Sequence, residues 1–310
     1  MSKFLGATIS WGIAVVLAVV LPLRAFGLVV ENFDADQHSR FSSGFPGAPV
    51  ENSLDAFVLS DFDLSGVGWA DDDPRKSLAL ISPLHFVGAL HFDPEVGDEA
   101  RFLNSDGVLV SRTISAINTI NNGSGDPIDL FVGELSSAIL DADKIATLKV
   151  PGFTAEGSFL GMSTFIYGQN GTVGTGSVDG FSNIAVAGTI DTTRGMLDVK
   201  SKTSAVTGEA HLSSGDSGGP TFGTIDGSLA LLGIHSATGE DANNYISVDS
   251  FLPAYLSEIE AIVNADGQSL STVPEPRLMA AAVGCALLVA ALVRRGRFSC
   301  RGAFRSAPCQ

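Results

Sequence analysis

The sequence predicts an all-β domain closed by one α-helix, and three observations carry that expectation. Short apolar runs at 56–59, 78–81, 145–150, 159–167 and 229–234 are separated by Gly, Asp, Asn and Pro, the punctuation of strands and turns. A composition of 45% hydrophobic and 17% charged residues with 35 glycines favours tight turns over helical bundles. Helical spacing is confined to one stretch, where Leu252, Leu256, Ile259 and Val263 follow Ser250 with Pro253 in the first turn, giving an apolar stripe that would pack on the sheets.

A chain of 310 residues has room for two average domains, but both ends read as targeting segments. Residues 1–27 open with Lys3, run through an apolar stretch at 13–21 and reach Ala25-Phe26-Gly27, the small-x-small pattern of a signal peptide cleaved near Gly27. Pro22 and Arg24 interrupt the run, which is short for a membrane span. At the other end Val273-Pro274-Glu275-Pro276 precedes an apolar span at 278–293, followed by Arg294, Arg295, Arg297, Arg301 and Arg305. Such a span covers about 24 Å at helical rise, slightly less than a hydrocarbon core, and the arginines would hold its far end in the cytoplasm, leaving the domain outside.

This arrangement over 273–297 resembles the PEP-CTERM sorting signal of Gram-negative bacteria; the longer basic tail at 298–310 departs from it. A plain C-terminal anchor is the other reading. The resemblance implies an exosortase-type sorting enzyme and the inner membrane as partners, with the domain at the cell surface or outside the cell. Between the ends lie an irregular lead-in at 28–53 without assigned chemistry, one domain at 54–264 and a linker at 265–272.

Residues 28–272 hold ten Lys and Arg against 33 Asp and Glu, a charge that repels nucleic acid and anionic membrane and favours solubility outside the cell. The three cysteines, Cys285, Cys300 and Cys309, all fall beyond the domain, so neither a disulfide nor a thiol nucleophile serves it.

The strongest chemical signal is Gly215-Asp216-Ser217-Gly218-Gly219-Pro220. A nucleophilic serine needs an exposed hydroxyl on a tight turn, with backbone N–H groups aimed where an oxyanion develops. A glycine-rich turn between two strands is the other reading, and spacing alone does not separate the two. These six residues resemble the nucleophile motif of trypsin-like serine proteases at every position. The stretch from Leu80 to Phe92, ending Ala89-Leu90-His91-Phe92, is similar to that family's strand and turn carrying the catalytic histidine, with Phe92 in place of a cysteine and Leu90 in place of an alanine. Ile128-Asp129-Leu130-Phe131-Val132 is similar to its strand headed by the orienting aspartate, although an acid heading an apolar strand can also merely cap a turn. His85, flanked by apolar residues, reads as a packing residue.

The resemblance spans about residues 54–264. It implies two packed six-stranded antiparallel Greek-key β-barrels of the chymotrypsin type and peptide hydrolysis through an acyl-enzyme. Ser217 would be the nucleophile, His91 the general base and Asp129 its orienting carboxylate, with the N–H groups of Gly215 and Ser217 as oxyanion hole. No metal or organic cofactor is needed, and proteins or peptides are the substrates. A catalytically silent relative acting as a surface or matrix binding protein is the alternative, though such relatives usually lose a triad member.

For the substrate pocket the resemblance points to His211, Ser214, His235, Ser236, Thr238 and Asn243. His211 stands six positions before the nucleophile, where family members specific for Lys or Arg carry an aspartate, so cleavage after basic residues is not expected. His235 beside Ser236 is similar to the arrangement in glutamyl endopeptidases and would suit an acidic side chain; filling of the strand is the competing reading. In the family a freed Ile or Val amine pairs with the aspartate before the nucleophile, here Asp216. No Arg-Ile-Val-Gly-Gly site is present, so activity without tryptic activation is expected and the partner of Asp216 is left open.

Overall fold

In the computed structural model, which describes residues 27–185 and 192–276, six antiparallel strands roll into a closed barrel. They are β1 (Val67–Ala70), β2 (Ser77–Leu80), β3 (His85–Gly88), β4 (Glu99–Leu103), β5 (Leu109–Asn121) and β6 (Pro127–Leu135), in the order β1-β2-β3-β6-β5-β4, with Trp69 of β1 paired to Arg101 of β4 to close the ring. Alternation sorts the side chains. Leu78, Leu80, Phe86, Phe102, Phe131 and Leu135 fill one cluster, whereas Ala79, Ile81, Ile128, Leu130 and Val132 join a second cluster with Phe222, Leu231 and Ile234 of the other half. β6 is therefore buried on both faces, and Asp129 sits near its start.

The second half contains β7 (Ser163–Tyr167), β8 (Val173–Ser177), β9 (Gly180–Ala185), β10 (Thr192–Ser201), β11 (Pro220–Ile225), β12 (Ser228–Glu240) and β13 (Asn244–Phe251). They form one sheet in the order β8-β7-β11-β12-β13-β10-β9. Its two edge strands, β8 and β9, are consecutive in the chain and separated only by Val178 and Asp179, so the sheet rolls up and its edges meet at this kink. The expected sixth strand is thus split in two. At the seam a carboxylate replaces part of the ladder: Asp198 accepts from the N–H of Ser177 (2.6 Å), while Asp179 accepts from that of Val199 (2.8 Å).

Burial, and then the acidic neighbours Asp179, Asp249 and Glu209, push the Asp198 carboxyl up to about 7. A native state that holds this proton to higher pH than the unfolded chain loses stability as pH rises from about 4 to about 7, and the loss levels off above that. The shift corresponds to a few kcal/mol, on the order of 4. Thermal melts are expected to show greater stability at pH 5 than at pH 8, and Asp198→Asn to flatten that difference while still accepting from Ser177. A variant with the wild-type slope would assign the pH dependence elsewhere.

The predicted helix is present. A turn of 3-10 helix (Leu252–Tyr255) containing Pro253 leads into α1 (Leu256–Ala265). Leu252, Ile259 and Val263 are buried against Ile120, Ile128 and Leu130 of the barrel, which accounts for their spacing. His85 is a packing residue as expected, fully buried with Nδ1 on Ser82 Oγ (2.8 Å) and Nε2 on Asp266 Oδ2 (2.9 Å) at the end of α1.

The flanking segments are more ordered than their composition suggests. Val29–Val30 pairs with Ala210–His211. Arg40, wholly buried, donates to the carbonyl of Val67 (2.7 Å) and to Tyr167 Oη (3.2 Å), tying the lead-in to β1 and β7 together. Thr272 and Val273, where the expected linker meets the expected sorting segment, pair in parallel with Val150 and Pro151. All but Gly27 of the expected signal peptide at 1–27, the span at 278–293 and the basic tail lie outside the described residues; among the described residues no helix is long and apolar enough to cross a membrane.

Candidate active site

His91 occupies a short 3-10 turn (Leu90–Phe92) directly after β3, and Asp129 lies on β6, the strand hydrogen-bonded to β3. Adjacent strands therefore bring together residues 38 apart in sequence. Asp129 Oδ1 accepts from the backbone N–H of His91 (2.9 Å), and the His91 Nδ1 lies 2.9 Å and 2.8 Å from the two carboxylate oxygens. With Nδ1 donating to the carboxylate, Nε2 is left as the acceptor. It stands 2.8 Å from Ser217 Oγ, which comes from the loop before β11 in the other half. Asp129 is fully buried while the His91 side chain is 24% exposed, so the proton path opens to solvent at the histidine and serine.

The turn carrying Ser217 needs its glycines. Gly215 has φ +99, and a Cβ on Gly219 would stand 2.4 Å from the Tyr167 carbonyl and 2.6 Å from the His235 ring. The N–H of Asp216 is used internally, on the Ser213 carbonyl (3.2 Å). Among the described residues the N–H groups of Gly215 and Ser217 have no acceptor, the state in which a pair of donors can receive an oxyanion.

Asp216 answers the question that the sequence leaves open. Its carboxylate is 1% exposed and accepts from three backbone N–H groups: Leu28 (2.9 Å), Gln169 (3.0 Å) and Ser213 (2.8 Å). Burial raises its pKa, opposed by these N–H bonds and by the proximity of His235. The Leu28 contact brings a residue 188 positions away in the chain beneath the nucleophile loop.

A cleft of about 220 Å³ opens beside Ser217, lined by Leu212, Ser213, Ser214, Ala237 and Thr238 with Asp216, His235 and Ser236 behind. Of the residues named for the substrate pocket, Ser214, His235, Ser236 and Thr238 line this cleft and His211 and Asn243 do not. The expectations for His211 and Asn243 need correcting, and His235 reaches the cleft without a free ring nitrogen. His235 is 1% exposed, and its two ring nitrogens face Asp249 Oδ1 (2.6 Å) and the Tyr167 carbonyl (3.1 Å), so it has no free N–H for a ligand. His211 stacks on Tyr245 with ring centroids 3.8 Å apart and does not line the cleft; burial, then Lys200, lowers its pKa. Asn243 lies in the β12–β13 turn held by Asp241. Ser236 lines the cleft and directs its hydroxyl to Asp129 Oδ2.

Two further residues touch Asp129 that no local sequence signal marks, Thr193 and Ser250. Among the described residues no cluster of His, Cys, Asp or Glu could hold a metal ion.

No protein-family model matches the chain, and no curated protein matches it. Among solved structures, a structure titled kallikrein-related peptidase 10 is similar to this chain with a TM-score of 0.45 and 13% sequence identity, covering 64% of this chain and 95% of that one.

Proposed function

We propose that this protein is an exported serine endopeptidase in which Ser217, activated by His91 and Asp129, attacks a peptide carbonyl. The observation that supports it best is the continuous Asp129–His91–Ser217 hydrogen-bond chain beside two uncommitted backbone donors. His91 Nε2 takes the Ser217 proton during attack, the N–H groups of Gly215 and Ser217 receive the tetrahedral oxyanion, and the imidazolium returns the proton to the leaving amine. Water then repeats the sequence on the acyl-enzyme. Asp129 holds the ring tautomer and stabilises the imidazolium without taking the proton.

The charge of the cleft supports a preference for uncharged side chains before the scissile bond. Asp216 is covered by three N–H donors, both nitrogens of His235 are engaged, and the remaining walls are Leu212, Ser213, Ser214, Ala237 and Thr238. A charged side chain entering would lose water without gaining a counter-charge. Digestion of a peptide library is expected to give cleavage after uncharged residues, with Lys, Arg, Asp and Glu depleted at that position. Absence of any cleavage sinks the peptidase reading, and enrichment of Glu or Asp sinks the reading of the pocket.

Export is proposed from the leader at 1–27 and the PEP-CTERM-like end at 273–297, with an exosortase-type enzyme and the inner membrane as partners. Processing after Gly27 would make Leu28 the amino terminus, turning the N–H that reaches Asp216 into an ammonium. A separate tryptic nick would then be unnecessary.

A further inference from the structure

The triad is divided between the two halves of the molecule, with His91 and Asp129 on the barrel and Ser217 on the rolled sheet. Their relative placement depends on whatever fixes the halves where they meet. One residue collects an unusual set of contacts across that boundary. The Asp129 N–H donates to Thr193 Oγ1 (2.9 Å), its carbonyl accepts from Ser250 Oγ (2.7 Å), and its Oδ2 accepts from Ser236 Oγ. Thr193 belongs to β10, Ser250 to β13 and Ser236 to β12, three neighbouring strands of one sheet. Thr193 and Ser250 are both completely buried, and Ser236 is 5% exposed.

Each of these hydroxyls is distinct in what it holds. Ser236 touches the carboxylate itself. Thr193 and Ser250 hold the N–H and the carbonyl of Asp129, both polar groups of that residue's main chain, and therefore fix where the Cα stands rather than how the carboxylate turns. A β-strand edge normally satisfies such groups from a partner strand. Here two side chains from the other half supply them, so the satisfied state exists only when barrel and sheet are in one relative position. A small slip breaks both bonds in a dry environment, where an unpaired amide and carbonyl are costly.

We propose that Thr193 and Ser250 are positioning residues for catalysis: together they clamp the Asp129 backbone so that the His91–Ser217 distance set between the two halves stays within reach for proton transfer. The proposal rests on the peptidase reading. Displacement of catalytic groups by about an ångström lowers rates on the order of 100-fold, and binding in the cleft, which neither residue lines, is left unaltered.

The test uses the full chain processed at Leu28, with Thr193→Val, Thr193→Ser and Ser250→Ala, each checked for a cooperative melt and assayed well below its melting temperature. Thr193→Val and Ser250→Ala are expected to lower kcat and the rate of fluorophosphonate labelling of Ser217 by about 10- to 100-fold, with KM within twofold of wild type. Thr193→Ser, which keeps the accepting oxygen, is expected to react at the wild-type rate. Folded variants with wild-type kcat overturn the proposal, as does a Thr193→Ser as slow as Thr193→Val. Should Thr193→Val fail to fold, Ser250→Ala and Thr193→Ser decide alone. A wild-type chain that neither hydrolyses peptide nor takes the label overturns the peptidase reading itself.

Discussion

Asp129→Asn is expected to fold and to lose about four orders of magnitude in kcat. Asp129 Oδ1 accepts from both the backbone and the Nδ1 of His91, and Oδ2 accepts from Ser236. Every neighbour of the carboxylate is a donor, so an amide must set its NH₂ against one of them. If that group faces Nδ1, the ring proton moves to Nε2, and the histidine presents a donor to Ser217 where an acceptor is required. The main-chain bonds to Thr193 and Ser250 do not involve the carboxylate and survive, which is why the fold persists. Steady-state hydrolysis with a parallel melting curve measures this; a loss under tenfold in a folded protein would remove Asp129 from the proposed mechanism.

The second large effect concerns the amino terminus. A chain beginning at Leu28 is expected to take a fluorophosphonate label at least 100-fold faster than one that retains the residues before it, and Asp216→Ala to abolish that advantage. Unprocessed, Asp216 is a buried carboxylate with three N–H donors and a raised pKa. Cleavage after Gly27 would turn the Leu28 N–H that lies 2.9 Å from its Oδ1 into an ammonium, and removing one partner from a buried ion pair typically costs about 3–5 kcal/mol. Because Asp216 precedes the nucleophile directly, that cost falls on the loop carrying Ser217 and its oxyanion donors. The amine gains a partner on folding, so the stabilisation is present while it is protonated and is lost as pH rises through its folded pKa. Labelling should accordingly fall on the alkaline side in the processed chain. Equal rates for the two chains would show that no free amine is needed.

Much of the site is legible because its signals are local. Six contiguous residues make the nucleophile turn, and Gly215 and Gly219 are there because a positive φ and a close carbonyl allow nothing larger. The helix declares itself through Leu252, Ile259 and Val263. What the sequence hides is set by distant partners. Thr193 and Ser250 meet Asp129 across 64 and 121 residues, and Leu28 meets Asp216 across 188. The resemblance places His235 at the cleft, but not the partners of its ring nitrogens, Asp249 and the Tyr167 carbonyl, which lie 14 and 68 residues away. The lead-in looks irregular because a buried Arg40, bonded to Glu51, Val67 and Tyr167, has no sequence signature distinct from a surface arginine.

The central claim is that base and oxyanion hole are assembled around Ser217. Its most direct test is treatment of the processed chain with a fluorophosphonate, followed by mass-spectrometric mapping of the adduct. The expected result is one adduct, on Ser217, absent from His91→Ala. A folded, processed chain with no adduct, or with labelling that persists in His91→Ala, would contradict it.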